Sequence, residues 1–532
     1  MKTLKIYLSL LVAAIFFAGC EDFLEEAPQS QLSPDNYYSS PEQAEAAVIG
    51  AYNALQRNGV YGPVAYTITT DIIRSAPWNS NGGMGSYTFS ADNVQVVYTM
   101  WKDLFQGINE ANAAITHVPN VNMDEDRRNT LVAEAKFLKA LMYFNLIRFY
   151  GDVPYFETET NSLDNLEVPR DPVSMVYEKI IDDLEFGIEH LDTKAEITQP
   201  GRATVGAAKT ALAKVYLTRG SMAERDGGDG TADFQMAANL SEEVINSGEY
   251  TLLPYFPDVF IVENQGHNEM IFDVQFKSGG IDEGSWIGAA LGLQGPPDKG
   301  GSWGNFHATN YFNTIYEDTD IVRQEWTTPL VRVNGDGTLD INRPWWDSWK
   351  IGKYRRYPVR SESYQFRDAD HNFPVFRYAE VLLIYAEALN EVNNGPTAEV
   401  FDALNQLRSR ARNVNEDGSR SALHDDTLPR NLTSDPNILP DISATEYPDY
   451  ASIRQYIMDE RARELAGESK RWFDLVRWGN LVEAMQVPLT TSPPEPRGWA
   501  TTAANVAERH YLLPIPNTEI QSNPNLTQNL GY

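Results

Sequence analysis

The sequence predicts a mainly α-helical protein built from helical hairpins, with a loop-rich region set into its middle. Three observations lead there. Apolar residues recur at helical spacing over most of the first 250 residues, and again from Tyr378 to about Met485. Several neighbouring helices repeat a small residue that lets a partner helix approach: Ala140 before Tyr143, Ala213 before Tyr216 and Ala386 before Leu389. Between Tyr250 and Phe376 the texture changes, as Gly, Pro and aromatic residues rise and no long helical stripe appears.

The first helix begins at Ser40-Pro41-Glu42-Gln43, with Ser40 as N-cap and Pro41 at the first helical position, where its missing N–H is not needed. Ala44, Ala47, Val48, Ala51, Tyr52 and Leu55 form its apolar side. A second helix runs from about Trp101 to Ile115. A third runs from Arg127 to Phe149, with Leu131, Ala135, Leu138, Met142, Leu146 and Phe149 on one stripe, and stops at Gly151-Asp152-Val153-Pro154. Val173–Leu191, Val205–Gly220 and Phe234–Ser247 follow, the last two resembling a tetratricopeptide unit. Met270–Phe276 alternates and reads as a strand, and 279–304 is glycine-rich and reads as loop. Tyr378–Val392, Ala398–Ala411 and a helix from Ile453 through Leu465 to about Met485 complete the scaffold. A second loop-rich insertion spans Asn413 to Tyr450. No linker or low-complexity tract divides the chain. One domain is expected over 20–532, with a helical scaffold at about 36–250 and 376–532 and a loop-rich, ligand-binding insertion at about 251–375. Long loops in a compact protein tend to be functional.

Forty-three basic residues face 74 acidic ones, for a formal net charge of −31. A surface that acidic repels phosphate backbones and anionic headgroups, which excludes nucleic acid and electrostatic membrane binding. It places no bar on a neutral sugar. Six of the eleven tryptophans fall between Trp286 and Trp349, a concentration that core packing does not call for.

Cys20 is the only cysteine. It follows a basic n-region with Lys2 and Lys5, an apolar stretch from Ile6 to Ala18, and the small pair Ala18-Gly19. The apolar stretch is too short to span a bilayer, which takes about 20 residues, so 1–19 reads as a removed signal peptide. Ala-Gly-Cys at its end resembles a bacterial lipoprotein box, with Phe17 where such boxes usually carry Leu. Cys20 is then the lipidated N-terminus of the mature chain, and the protein is anchored to a membrane through lipid. A lone cysteine also leaves no disulfide framework and no cysteine metal site.

Catalytic and metal signatures are thin. The seven histidines show no His-x-x-x-His pair. Asn81-Gly82-Gly83-Met84-Gly85 lacks the lysine and helix needed to cradle phosphates. Gly300-Gly301-Ser302-Trp303-Gly304 matches the nucleophile-elbow pattern, with His307 nearby, but the proline-rich approach cannot be the strand that an elbow needs. Asn413-x-Asn415-x-Asp417-Gly418 imitates the start of a calcium loop, yet position twelve is His424 rather than Glu. No metal and no cofactor are expected. The remaining signal is aromatic and loop-borne: Trp78, Trp286, Trp303, Trp345 and Trp346 can stack on sugar rings, with Asp71, Arg74 and Asn79 as polar support.

Taken in order, several motifs resemble the SusD/RagB family of nutrient-binding surface lipoproteins of Bacteroidetes. They include Asp22-Phe23-Leu24 through Ser40-Pro41-Glu42-Gln43-Ala44, Phe149-Tyr150-Gly151-Asp152-Val153-Pro154, Gly201-Arg202-Ala203-Thr204 and Asn268-Glu269-Met270-Ile271-Phe272. Towards the C-terminus come Phe376-Arg377-Tyr378-Ala379-Glu380, Glu460-Arg461-Ala462-Arg463-Glu464-Leu465, Arg471-Trp472-Phe473-Asp474 and the closing Leu513-Pro514-Ile515-Pro516. The acidic run Glu21–Glu26 reads either as a solvated tether between anchor and fold or, by its resemblance to such lipoproteins, as a surface-export signal.

The resemblance implies a SusD-like fold of tetratricopeptide-like hairpins with an irregular loop-rich part and a few short strands. It implies binding of an oligosaccharide or polysaccharide at the cell surface of the outer membrane, without catalysis. The ligand would then be delivered to a SusC-like TonB-dependent transporter. It also implies that Arg377, Glu380, Glu460, Arg471 and Asp474 form buried ion pairs in the scaffold. The alternatives are a surface enzyme, such as a glycoside hydrolase or esterase, and a binder of peptide or glycopeptide.

Overall fold

A computed structural model describes residues 38–62, 68–76, 79, 81–162, 166–280, 283–340, 349–356, 368–415, 431–492, 495 and 498–532. Among them nine long helices carry the fold: α1 Pro41–Asn53, α2 Thr99–His117, α3 Glu125–Tyr150, α4 Val173–His190, α5 Val205–Arg225, α6 Thr231–Ser247, α7 Tyr378–Asn393, α8 Ala398–Ala411 and α9 Tyr450–Leu465. Side-chain caps set several of their starts. Asp124 accepts from the Arg127 N–H at 3.0 Å to open α3, and Thr204 from the Ala207 N–H at 3.1 Å to open α5. Ser40 caps α1 as the sequence predicts, and Asp449 and Ser452 form a reciprocal capping box on α9. These bonds satisfy amides that a first turn leaves without partners. α3 ends at Gly151, whose φ of +73° suits glycine.

The helices pack in chain order, α2 on α3, α3 on α4, α4 on α5 and α5 on α6. α7 then packs directly against α6, and α8 and α9 pack on α7. The described residues between Ser247 and Tyr378 are therefore inserted into a continuous helical array. α3 is the central helix and is buried nearly all round, with Leu131, Leu138 and Leu146 joined in burial by Ala133, Ala140 and Ile147. The repeated small residues Ala140, Ala213 and Ala386 are all buried, as close helix approach requires. None of the described helices is long and apolar enough to cross a membrane. The expected signal peptide and Cys20 lie outside the described residues.

Among the described residues, four two-stranded antiparallel sheets punctuate the array. β1 Ile73–Ser75 pairs with β3 Phe306–Ala308, β2 Met270–Val274 with β6 Phe373–Arg377, β4 Arg332–Val333 with β5 Leu339–Asp340, and β7 Asn413–Asn415 with β8 Leu432–Ser434. The strand expected at Met270–Phe276 is β2. Beyond Met270 it is buried throughout instead of alternating, and Phe272 meets the ring of Phe137 on α3 edge-on. β6 reads poorly as a strand because Pro374 stands inside it, opposite Asp273.

One expectation is corrected. The helix from Ile453 does not continue to Met485: it stops at Leu465 and resumes as the short helices Arg471–Arg477 and Leu481–Ala484. Gly467 and Ser469 adopt positive φ at the break. The carbonyls freed there find cations, as Lys353 donates to those of Glu464 and Ala466 at 2.8 and 3.0 Å and Arg377 to that of Glu464 at 2.7 Å.

The motif residues form a buried ionic lattice, in agreement with the family resemblance. Arg377 pairs with Glu269, Glu464 and Glu468 at 2.6–2.9 Å. Glu460 takes Arg323 and Arg463, Asp474 takes Arg461 and Arg477, and Glu380 takes Lys214 and Lys470. Burial alone would raise the Glu380 carboxyl. Lys470, Lys214 and Arg461 outweigh it and hold the group down at about 2.

Candidate functional site

The tryptophan pair is assembled by a tight excursion of the chain. Trp286 stands just before the short helix Ile287–Leu291. The chain then runs through Leu293 and Gln294, turns at Pro297–Lys299, and returns through Gly301 and Ser302. A Cβ on Gly301 would lie 2.6 Å from the Gly295 Cα, so the two arms of the turn meet only because residue 301 has no side chain. Trp303 closes the excursion by donating its N–H to the Ala289 carbonyl at 3.1 Å. Its ring meets Trp286 edge to face, with centroids 6.0 Å apart and planes at 71°. Both rings are half-buried.

Trp303 lines an open groove of about 660 Å³ together with Gln294, Gly295, Pro296, Pro297, Ser302, Arg332, Val333, Asn334 and Gly335. A small apolar cluster of Leu293, Val331 and Val333 packs at this turn. The β4–β5 hairpin is docked by the Val333 N–H, which donates to the Gln294 carbonyl at 2.8 Å. Arg332 lies 3.5 Å from Asp340 across the hairpin, and the groove itself is lined by that one cation and by the side-chain amides of Gln294 and Asn334.

The β1–β3 pairing joins the early loop to this region. Arg74 stands opposite His307, and the Ala76 N–H donates to the Asn305 carbonyl at 2.8 Å. His307 is buried with Lys350 2.8 Å from its Nε2. Burial, with Lys350 and Arg74 adding to it, depresses the imidazole to about 3, so it is neutral. Glu495 reaches in from the C-terminal part. Its carboxylate accepts the Asn310 and Tyr311 N–H groups and lies 3.8 Å from the Arg74 Nε. Burial raises its pKa.

The expected site residues therefore separate. Trp286 and Trp303 are brought together. Arg74 is buried in β1, and Asn79 is half-buried, its N–H donating to the Ala76 carbonyl at 2.9 Å. Asp71 is 1 % exposed and both its carboxylate oxygens receive Arg471, which places it among the scaffold ion pairs. Trp78, Trp345 and Trp346 lie outside the described residues. Of the other clustered rings, Trp326 is core, its N–H donating to the Lys353 carbonyl. Gln294, Arg332 and Asn334, which line the groove, were not singled out by sequence reasoning. Isolated polar residues in loops carry no periodic or motif signal.

Ser302 does not form an elbow. Its hydroxyl is buried and donates to the Gly292 carbonyl at 2.7 Å, a turn precedes it, and strand β3 follows where an elbow needs a helix. Asn413 and Asn415 of the calcium-like run sit in β7, while Asp417 and His424 lie outside the described residues. No cluster of His, Cys, Asp or Glu suited to a metal occurs among the described residues.

A family model described as the SusD family matches residues 332–532. A second, described as starch-binding and associating with the outer membrane, matches residues 22–217. The SusD-like protein P2 of Formosa agariphila is 30% identical over 100% of both chains. A SusD homolog from Bacteroides thetaiotaomicron superposes with a TM-score of 0.79 at 22% identity, covering 94% of this chain and 98% of the other. A laminarin-binding SusD-like protein superposes with a TM-score of 0.69 at 25% identity, covering 93% and 100%.

Proposed function

The chain belongs to the SusD family, and from that premise we propose that it is a surface lipoprotein that binds a glycan and delivers it to a SusC-like TonB-dependent transporter. The observation that carries this reading is the Trp286–Trp303 pair beside a groove whose polar lining is the two amides Gln294 and Asn334 and the cation Arg332. A pyranose has an apolar C–H face that rests on an aromatic ring, while Gln294, Asn334 and Arg332 can meet its hydroxyls. The laminarin-binding relative and the starch-binding family description support a glucan-type ligand. β1–β3 brings the backbone of residues 73–76 beside that of 305–308, so the early and middle loops can contribute to one surface.

Cys20 would carry the acyl chains, with the acidic stretch after it leading to α1. The family description that spans residues 22–217 associates with the outer membrane, and that supports this placement. A tethered binder moves nothing across a membrane by itself, so it must hand its ligand to a channel. Calorimetric titration with laminarin and starch oligosaccharides tests the binding step. The expected result is binding by the wild type that Trp303→Ala weakens. Release of shortened products during the titration would instead favour a surface hydrolase. Pull-down of the tagged lipoprotein from mild detergent should recover a large outer-membrane barrel near one-to-one, and recovery of the lipoprotein alone would remove the transporter from this reading.

A further inference from the structure

We propose that Asp368 and Asp370 are the positioning residues of the Trp286–Trp303 pair, an inference that rests on the glycan-binding reading of that pair. Neither carboxylate lines the groove beside Trp303. Both act at the neck of the middle region, where the chain leaves β2 and returns to β6.

The neck is pinned at successive levels. Next to the sheet, Asn372 accepts the Phe276 N–H at 3.0 Å and donates to the Asp273 carboxylate at 2.9 Å. One level out, Asp370 accepts both the N–H and the hydroxyl of Ser278, at 2.7 and 3.0 Å. Asp368 then accepts the Gly279 and Gly280 N–H groups through one oxygen, at 3.0 and 2.7 Å. Those glycines have φ of +138° and +74°, a backbone that favours glycine and lets successive N–H groups converge on one anion. A Cβ on Gly284 would lie 2.0 Å from the other Asp368 oxygen, so this carboxylate fits only across a glycine. The start of the glycine-rich stretch is therefore folded around two carboxylates.

Ala369, between them, sets the backbone that carries Trp286. The Ser285 N–H donates to the Ala369 carbonyl at 2.8 Å, and the Ala369 N–H donates back to the Ser285 carbonyl at 3.2 Å. Both residues are buried. The Ser285 hydroxyl accepts the Ile287 N–H at 3.2 Å and so opens the short helix whose Ala289 carbonyl holds Trp303. Trp286 stands between these two fastenings with its ring half-buried, so its direction depends on the backbone beneath it. Asp368–Asp370 leads through His371 and Asn372 into β6 and α7. The two carboxylates thus tie the tryptophan pair to the helical scaffold. Charge is not what this geometry requires. A side-chain amide accepts the same N–H groups and donates to the Ser278 hydroxyl, whereas alanine leaves the neck unfastened.

The chain labelled with 5-fluorotryptophan tests this, with the two resonances assigned by their loss in Trp286→Phe and Trp303→Phe. Without ligand, Asp368→Ala, Asp370→Ala and Gly284→Ala should each shift or broaden the Trp286 resonance, and Asp370→Asn should restore it. Calorimetric titration with laminarin and starch oligosaccharides should show affinity lowered roughly two- to tenfold in the alanine variants and recovered in Asp370→Asn. Where one variant fails to fold, the others decide. The proposal is overturned if the folded alanine variants leave the Trp286 resonance unchanged, and a loss of affinity without that change would make the carboxylates direct ligand contacts. It is also overturned if the resonance moves at unchanged affinity, or if Asp370→Asn behaves as Asp370→Ala does. A wild type that binds neither oligosaccharide would overturn the proposed function, and the ligand-free resonances would still decide the positioning.

Discussion

Asp71 and Arg471 stand 400 positions apart and form a buried two-pronged ion pair, with N–O distances of 2.9 and 2.7 Å. The pair clamps the loop before β1 to the short helix Arg471–Arg477. Burial would lower the Arg471 pKa, but the Asp71 carboxylate outweighs it and raises it. The Asp71 carbonyl also accepts the Thr309 hydroxyl at 2.6 Å, so the same residue ties in the segment just after β3. The early loop, the middle loop and the C-terminal scaffold thus meet at one residue.

Asp71→Asn should therefore act on stability first. Removing one partner of a buried pair strands the other charge, at a cost of about 3–5 kcal/mol. Chemical denaturation should show a loss of that order, with glycan affinity falling only as the fold loosens. A variant as stable as the wild type that has nevertheless lost its ligand would return Asp71 to the binding surface.

The half-buried and buried tryptophans should respond oppositely to truncation. Trp303→Ala and Trp286→Ala should keep the melting temperature near that of the wild type and cost roughly 5- to 150-fold in glycan affinity, by analogy with about 1–3 kcal/mol for a stacked base. Trp326→Ala should instead destabilise the fold by about 3–5 kcal/mol, because its ring is core and leaves a cavity. Parallel melting curves and calorimetric titrations of the three variants check both halves. Binding of a neutral glycan should also change little with salt.

Acid should weaken the fold before the paired carboxylates titrate. His371 and His510 are each depressed to about 4, chiefly by burial, and His307 to about 3. The unfolded chain takes up these protons near the ordinary histidine pKa of about 6.5, and the folded chain does not. Their contribution is complete above pH 6.5 and is lost as pH falls towards 4 and below. Asp273 works the other way. Burial raises it to about 6, so the folded state binds its proton first and gains stability relative to the unfolded chain as pH falls from about 6. Urea midpoints between pH 7 and 4 should fall for the wild type. They should fall less for His371→Gln and more steeply for Asp273→Asn. Parallel profiles for all three would sink this account.

Cys20→Ala should release the protein from the membrane. One acyl chain anchors only marginally, so the multiple chains of a bacterial lipoprotein are needed for a lasting hold. Fractionation should move the variant to the soluble fraction, and surface labelling of intact cells should be lost. Retention in the membrane fraction would remove the lipid anchor from the proposed function.

Local features of this fold were legible in the sequence because they depend on neighbours in the chain. Ser40-Pro41 opens α1, Gly151 closes α3, and the stripes of α4 and α8 follow from spacing and caps a few residues apart. Gly467 marks the end of α9 in the sequence, but nothing in the run from Ile453 announces that Lys353 and Arg377 take its last carbonyls. β6 was hidden by Pro374, and β1 and β3 are too short for a pattern of their own.

The same division holds at the site. Composition shows that tryptophans cluster among Gly and Pro, but it does not distinguish the half-buried Trp286 and Trp303 from Trp326, which the folded chain buries on a short helix. Tertiary structure alone decided which polar residues line the groove and which pair within the scaffold. Asp71 and Arg74 look alike in sequence as polar neighbours of Trp78, yet Asp71 answers Arg471, 400 positions away, and Arg74 faces Glu495. Spacing along the chain governs helices because their bonds reach four residues. Burial of a charge is decided by whichever distant partner offsets its loss of water, and only the folded chain brings that partner near.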